Sequence, residues 1–102
     1  MRIVWSPLAL ERVEEIARVI AADRPAAAER WMRTVFERVT TLRMHPESGR
    51  MDPGFARPEV RQLPHPPYRI VYRIDSQRVT VLTIRHGRQE LNPEEVGGED
   101  TP

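Results

Sequence analysis

Two apolar segments in the second half of the chain carry the side chains best suited to catalysis or to binding an anion. They cover residues 68–74 and 79–86, and both have arginines among their apolar residues. The His86 imidazole could act as an acid or a base near neutral pH, and Arg69 could hold a phosphate. The pair would suit ribonuclease chemistry, in which one group takes the 2′-hydroxyl proton and a cation stabilises the phosphorane. The alternative is that His86 only packs or forms a hydrogen bond at the end of a strand.

The two segments are predicted to form an antiparallel β-hairpin with its turn around residues 75–78. An uninterrupted ladder then sets which residues lie opposite each other. The paired residues are Ile74 with Val79, Tyr72 with Val81, Ile70 with Thr83 and Arg69 with Ile84. A bulge in either strand would change this pairing.

Alternate residues of a strand point to opposite faces, so each face of the hairpin has its own composition. The more apolar face should pack on helices, and it carries Tyr68, Ile70, Tyr72, Ile74, Val79, Val81, Thr83 and Arg85. The other face combines an apolar centre with charged side chains, and contiguous exposed apolar patches often mark an interaction site. We therefore predict that this second face is bound by a partner chain, a substrate or both. The predicted partner-binding residues are Arg69, Val71, Arg73, Leu82, Ile84, His86 and Arg88.

The first half of the chain has the pattern of a strand followed by two helices. Residues 2–5 form a predicted strand, and Ser6-Pro7 has the pattern of a helix N-cap and first helical position. Apolar residues at helical spacing extend this helix for about 16 residues. Asp23-Arg24-Pro25 ends it and starts a second helix. The second helix should end near Met44, because a proline follows two residues later.

A further strand is predicted at about residues 59–63, ended by Pro64. The order of predicted elements is then β-α-α-β-β-β, which indicates an α+β domain. We expect a helical hairpin packed on one face of a mostly antiparallel four-stranded sheet, with the first strand at an edge.

Length and composition restrict the class of protein. The chain has 102 residues, enough for one domain, which we place at residues 1–90. It has no cysteine, and hence no disulfide or thiolate metal site. Its three histidines are widely spaced, so we predict neither a metal nor a cofactor. No apolar run approaches the roughly 20 residues needed to cross a membrane, and a cytoplasmic location is expected.

Charge is unevenly distributed along the chain. All 16 basic residues are arginine, whose planar guanidinium suits phosphate and carboxylate. Residues 57–88 contain seven arginines and two acidic residues, a net +5, whereas residues 89–102 contain five acidic residues and no arginine, a net −5. The acidic tail, residues 91–102, is predicted to be flexible. The alternative is that it screens the basic face of its own molecule or of a neighbour.

Five motifs, taken together and in order, resemble one protein family. They are Trp5-Ser6-Pro7-x-Ala9, Asp23-x-Pro25-x-Ala27-Ala28, His45-Pro46-x-x-Gly49-Arg50, Tyr68-Arg69-Ile70-Val71-Tyr72-Arg73-Ile74 and Val81-Leu82-x-Ile84-x-His86-Gly87-Arg88. Over about residues 2–90 the chain is similar to the ParE branch of the RelE/ParE toxin superfamily, once called plasmid stabilisation proteins. The order β-α-α-β-β-β agrees with the fold of that family.

The resemblance implies a type II toxin that a cognate antitoxin holds inactive. In this family the C-terminal segment of the antitoxin wraps the toxin, and the N-terminal half of the antitoxin binds operator DNA. For this chain we expect a ParD-like antitoxin whose N-terminal half is a ribbon-helix-helix. ParE-type members poison DNA gyrase and block replication, whereas RelE-type members cut messenger RNA on the ribosome. We expect a ParE-like inhibitor of growth that acts by binding rather than as an enzyme.

Residues near the end of the hairpin bear on the choice between these two activities. Some ribonuclease members place a tyrosine or phenylalanine where this chain has Gly87. The alternative function is a ribosome-dependent endoribonuclease, because Arg69 and His86 match residues that some ribonuclease members use. Its candidate catalytic residues are Arg69, His86, Arg50 and Arg61. A third hypothesis is a degenerate member that only binds its antitoxin and regulates its operon.

Overall fold

The computed structural model describes residues 1–51, 57–87 and 93–96. Within them, five strands and three α-helices are formed, with a short 3₁₀ helix at Thr41–Arg43. In chain order the elements are β1 (Arg2–Trp5), α1 (Pro7–Ala21), α2 (Pro25–Thr40), β2 (Arg50–Met51), β3 (Val60–His65), β4 (Tyr68–Ile74), β5 (Arg78–His86) and α3 (Pro93–Val96). The predicted order is confirmed, with a two-residue strand and a four-residue helix added to it.

The helical hairpin begins where the sequence predicts. The Ser6 hydroxyl accepts a hydrogen bond from the Ala9 amide and donates one to the Leu82 carbonyl oxygen, both at 3.0 Å. This N-cap therefore sets the start of α1 and also ties it to β5. Helix α2 ends at Thr40 rather than near Met44, because the chain tightens into the 3₁₀ helix, a common way for an α-helix to finish.

The five strands form one sheet in the order β1-β5-β4-β3-β2. Strand β1 lies at one edge, as predicted, and runs parallel to β5, while all other neighbours are antiparallel. The α+β fold class is confirmed, but the sheet has five strands instead of four, since β2 pairs with Arg61 and Gln62 of β3. A strand of two residues is too short to show the alternation by which strands are recognised in a sequence.

Strand β3 continues through Pro64 to His65, so the predicted end of this strand is wrong. The pairing with β2 stops at Gln62. Among the described residues, no strand pairs with the outer side of β3 at Pro64. Proline has no amide hydrogen, and at this position its absence removes no hydrogen bond between strands. Arg38 of α2 donates two hydrogen bonds to the Pro64 carbonyl oxygen, at 3.0 and 3.2 Å, and so joins this edge to the helices.

The main core lies between the sheet and helices α1 and α2, on what we call the helix face of the sheet. The hairpin residues Ile70, Tyr72, Val79 and Val81 are fully buried there, as predicted, together with Ala9, Val35, Val39 and Leu42. A second, smaller cluster lies on the opposite side of the sheet, which we call the far face. It consists of Val60, Val71 and Leu82.

A bulge in β5 changes the predicted pairing of the hairpin. Val71 lies opposite Thr83, and Tyr72 lies opposite Val81, so Leu82 is an additional residue between them. Every residue after the bulge is on the face opposite to the predicted one. The corrected pairs are Ile70 with Ile84, Arg69 with Arg85 and Tyr68 with His86. The side chains of Ile84 and His86 are thereby assigned to the helix face, and those of Thr83 and Arg85 to the far face.

Candidate functional site

The far face has an apolar centre, as predicted for a partner-binding surface, but this centre is not exposed. Val60, Val71 and Leu82 are only 1%, 1% and 5% exposed, and Thr83 beside them is completely buried. These side chains are covered within the chain itself, so the prediction of an exposed apolar patch is wrong. A partner that binds this face would first contact or displace the groups that cover its centre.

Arginines form a positively charged rim around this centre. Arg69 donates a hydrogen bond to the Gln62 side-chain oxygen at 2.9 Å, and the Arg73 guanidinium lies 3.4 Å from the Asp75 carboxylate. Arg50 is exposed and lies opposite Gln62, so it belongs to the same face. Guanidinium groups in such an arrangement suit carboxylate or phosphate groups of a partner.

Helix α3 brings the acidic end of the chain onto this rim. The Arg85 guanidinium lies 2.7 Å from the Glu95 carboxylate, and their side chains are only 18% and 8% exposed. Glu94 beside it is exposed. Within residues 93–96 an acidic side chain is thus paired with an arginine of the sheet, while the other residues of the predicted tail, 91–92 and 97–102, lie outside the described residues.

Arg69 and His86, the predicted phosphate-binding and acid–base pair, lie on opposite faces of the sheet. Arg69 is opposite Arg85 on the far face, whereas His86 is opposite Tyr68 on the helix face. The His86 and Tyr68 rings contact edge to face, with their centroids 5.8 Å apart. The prediction that Arg69 and His86 share a face is therefore wrong, and the bulge at Leu82 is the cause.

His86 instead belongs to a row of side chains that crosses three strands on the helix face. Strand pairing places His65 beside Tyr68, and Tyr68 beside His86. Trp31 of α2 packs on the middle of the row, with its ring centroid 5.6 Å from that of Tyr68. The His65 ring lies 3.4 Å from the Thr34 hydroxyl. Sequence patterns miss this cluster because its members come from four elements that meet only in the folded chain.

His65, the member of this row that lies on β3, makes the stability of the protein depend on pH. Burial lowers the pKa of His65 from its ordinary value, and the nearby Arg38 guanidinium lowers this pKa further. The folded chain thus favours the neutral imidazole, and the unfolded chain binds the proton more readily. We expect the free energy of unfolding to fall as the pH drops below about 6.5.

The variant His65→Gln should lose less stability on acidification than the wild-type chain, because it has no imidazole to protonate at this position. Thermal unfolding of both chains between about pH 7.5 and about pH 5.5 measures the difference. The exposed His45 provides the matched control, His45→Gln. An equal pH dependence in wild type and His65→Gln would contradict the expectation.

Arg61, another candidate catalytic residue, holds the loop that precedes β2. It lies opposite Tyr72 on the helix face, and it donates hydrogen bonds to the carbonyl oxygens of Gly49 at 2.9 Å and Glu47 at 3.3 Å. The Tyr72 hydroxyl donates to the Pro46 carbonyl oxygen at 2.7 Å and accepts from the Gly49 amide at 2.9 Å. Burial raises the pKa of Tyr72, so the phenol keeps its proton as a donor. These contacts give Arg61 a structural role.

The remaining expectations concern Arg88, metal binding and membranes. Arg88 lies outside the described residues. Within residues 1–51, 57–87 and 93–96, no three histidine, aspartate or glutamate side chains are grouped closely enough to hold a metal ion. None of the helices in this part of the chain is long and apolar enough to cross a lipid bilayer.

Comparison with known families identifies the chain. The family model described as "ParE toxin of type II toxin-antitoxin system, parDE" matches residues 3–91. The chain belongs to the ParE toxin family. A curated relative, "Putative toxin Y4kP" of Sinorhizobium fredii (strain NBRC 101917 / NGR234), is 40% identical to this ParE-family chain over 91 residues, which are 87% of the chain and 91% of the relative. The family predicted from the five motifs is confirmed, and the chain is the toxin component of a type II toxin–antitoxin system.

Two solved structures share the fold of this ParE-family chain. A chain of the chromosomal ParDE system from P. aeruginosa superposes with a TM-score of 0.72 at 21% identity, covering 84% of this chain and 95% of that one. A chain of the RelBE2 toxin–antitoxin complex from Mycobacterium tuberculosis superposes with a TM-score of 0.61 at 18% identity, covering 83% and 95%. At these identities, the similarity establishes the fold.

Proposed function

We propose that this ParE-family toxin inhibits DNA gyrase and thereby blocks replication, and that a cognate antitoxin neutralises it in the cytoplasm. The antitoxin would be a ParD-like ribbon-helix-helix protein. The antitoxin would bind operator DNA, and the toxin would be held there only by its contact with the antitoxin. Two observations support this proposal: the match to the ParE family over residues 3–91, and the similar fold of a chain from a ParDE system.

The observation that carries the choice of target is the separation of Arg69 from His86 by the sheet. A ribonuclease reaction requires its acid or base and its stabilising cation at the same phosphate. The other candidates are divided between the same two faces, since Arg50 lies with Arg69 on the far face and Arg61 holds a loop on the helix face. The predicted catalytic residues do not meet in one place, which favours action by binding.

The two activities can be separated with purified components. We expect the toxin to inhibit supercoiling by purified DNA gyrase and to leave messenger RNA on isolated ribosomes intact. The same toxin, mixed beforehand with its antitoxin, serves as the control and should leave supercoiling unaffected. Cleaved messenger RNA together with unimpaired supercoiling would favour the RelE-like endoribonuclease instead. A folded, well-expressed chain that does not slow growth would favour a degenerate member.

His86→Gln provides an independent test in growing cells. If His86 were the general acid or base of a ribonuclease, its replacement would reduce activity by about 10²–10⁴-fold. We expect growth inhibition to stay close to that of wild type, because this side chain lies away from Arg69. His45→Gln, which alters an exposed loop histidine, is the matched control. A loss of toxicity confined to His86→Gln, with the protein still folded, would argue for catalysis.

A further inference from the structure

The contact between Arg85 and Glu95 is the most deeply buried ion pair on the far face among the described residues. Its atoms are 2.7 Å apart, and the Glu95 side chain is 8% exposed. A carboxylate so far removed from water is stable only beside a cation. The contact joins the arginine-rich strands to the acidic end of the chain, which has five acidic residues and no arginine after residue 88.

This internal contact leaves polar groups unsatisfied. The second oxygen of Glu95, Oε1, is buried and accepts no hydrogen bond from any described residue, although a guanidinium can hold both oxygens of a carboxylate. The Thr83 hydroxyl on the same face is also buried and makes no hydrogen bond within the described part of the chain. Buried polar atoms without partners cost free energy, so the contact made by α3 leaves hydrogen-bonding groups of this face unsatisfied.

We infer that Arg85 is the anchoring point for a carboxylate of the antitoxin, and that Glu95 is an internal substitute which the antitoxin displaces. The inference rests on the proposed antitoxin partner and specifies how it binds. The rim formed by Arg50, Arg69, Arg73 and Arg85 complements an acidic segment. The matching ligand is therefore an acidic peptide segment that places one carboxylate at Arg85.

Displacement makes Glu95 an intramolecular competitor. The apparent Kd of the antitoxin equals its intrinsic Kd divided by the fraction of toxin molecules in which Glu95 has left Arg85. Removing the negative charge of Glu95 weakens the competitor and leaves the anchor in place, so binding should tighten. Removing Arg85 takes the anchor away, so binding should weaken even when Glu95 no longer competes.

The experiment titrates full-length toxin variants with one probe, the purified product of the small open reading frame adjacent to the toxin gene. Calorimetry should give a Kd for Glu95→Gln at least about three-fold lower than that of wild type. Glu11→Gln removes the same charge from an exposed position on α1, on the other side of the sheet, and should leave the Kd close to wild type. Equal dissociation constants for Glu95→Gln and Glu11→Gln overturn the inference.

A double variant isolates the contribution of Arg85. In Arg85→Gln/Glu95→Gln both members of the pair are replaced by neutral side chains, so neither is left as a buried charge facing the site of the other. Its Kd should be at least about ten-fold higher than that of Glu95→Gln alone, with thermal unfolding used to verify that both are folded. An unchanged Kd overturns the inference while the antitoxin partner stands. If wild-type toxin does not bind the probe at all, the proposed antitoxin partner fails and the inference fails with it.

Discussion

Replacing Gly49 with alanine is expected to lower the free energy of unfolding by about 3 kcal/mol, a fall in Tm of roughly 15 °C. The added Cβ would lie 2.6 Å from the Tyr72 hydroxyl oxygen and 2.7 Å from the Gln62 carbonyl oxygen. The hydroxyl cannot move without losing its hydrogen bonds to Pro46 and Gly49, and the carbonyl is part of β3. Thermal unfolding followed by circular dichroism measures the loss.

Gly87→Ala is the matched control for this prediction, because it makes the same chemical change at another turn. Its Cβ would meet the Pro67 carbonyl oxygen at 3.2 Å, with no other atom closer than 4.0 Å. The expected loss is below about 1 kcal/mol, since a small shift relieves a single close contact. A similar loss in both variants, or none in Gly49→Ala, would show that the close approach at Tyr72 is not what requires glycine.

Replacing Ile84 with alanine is expected to lower the free energy of unfolding by about 3 kcal/mol as well, for a different reason. The side chain is 1% exposed and belongs to the core between the sheet and the helices. Truncation would leave a cavity that the surrounding strands and helices can fill only in part. On the pairing without a bulge, Ile84 would instead face a partner, and its truncation would change binding rather than stability. Urea-induced unfolding measures the free energy of unfolding of both chains and so distinguishes a core position for Ile84 from a partner-facing one.

Leu10→Ala is the control for Ile84→Ala, because it shortens an aliphatic side chain at an exposed position. Leu10 lies on α1 and is 45% exposed, so its truncation should change the free energy of unfolding by no more than about 1 kcal/mol. If Ile84→Ala is as mild as Leu10→Ala, the assignment of Ile84 to the core is wrong.

Much of the fold could be predicted because its signals are local. Ser6-Pro7 and Asp23-Arg24-Pro25 mark helix boundaries through groups that act within one turn. The alternation in β4 identifies a strand, and a run of motifs over residues 2–90 was enough to recognise the family. The fold departs from this prediction at β2, which is two residues long, and at Pro64, which is tolerated because β2 has ended.

The candidate site was predicted less well, because its prediction depended on an uninterrupted ladder. Side chains alternate with a period of two, so one additional residue in β5 reverses the face of every residue after it. The one sequence signal was the adjacent apolar pair Val81-Leu82, which breaks the alternation. Packing then decides that Val81 and Ile84 both enter the main core, and Leu82 turns to the other cluster.

The sequence by itself determined the type and order of the elements, the family, and the presence of an arginine-rich hairpin followed by an acidic tail. Those properties follow from neighbouring residues and from composition. Only the tertiary structure decided that Arg69 is separated from His86, that Gly49 lies against Tyr72, and that Glu95 pairs with Arg85. Each of these depends on which distant segments meet and on which face, and that is set by packing of the whole core rather than by any local pattern.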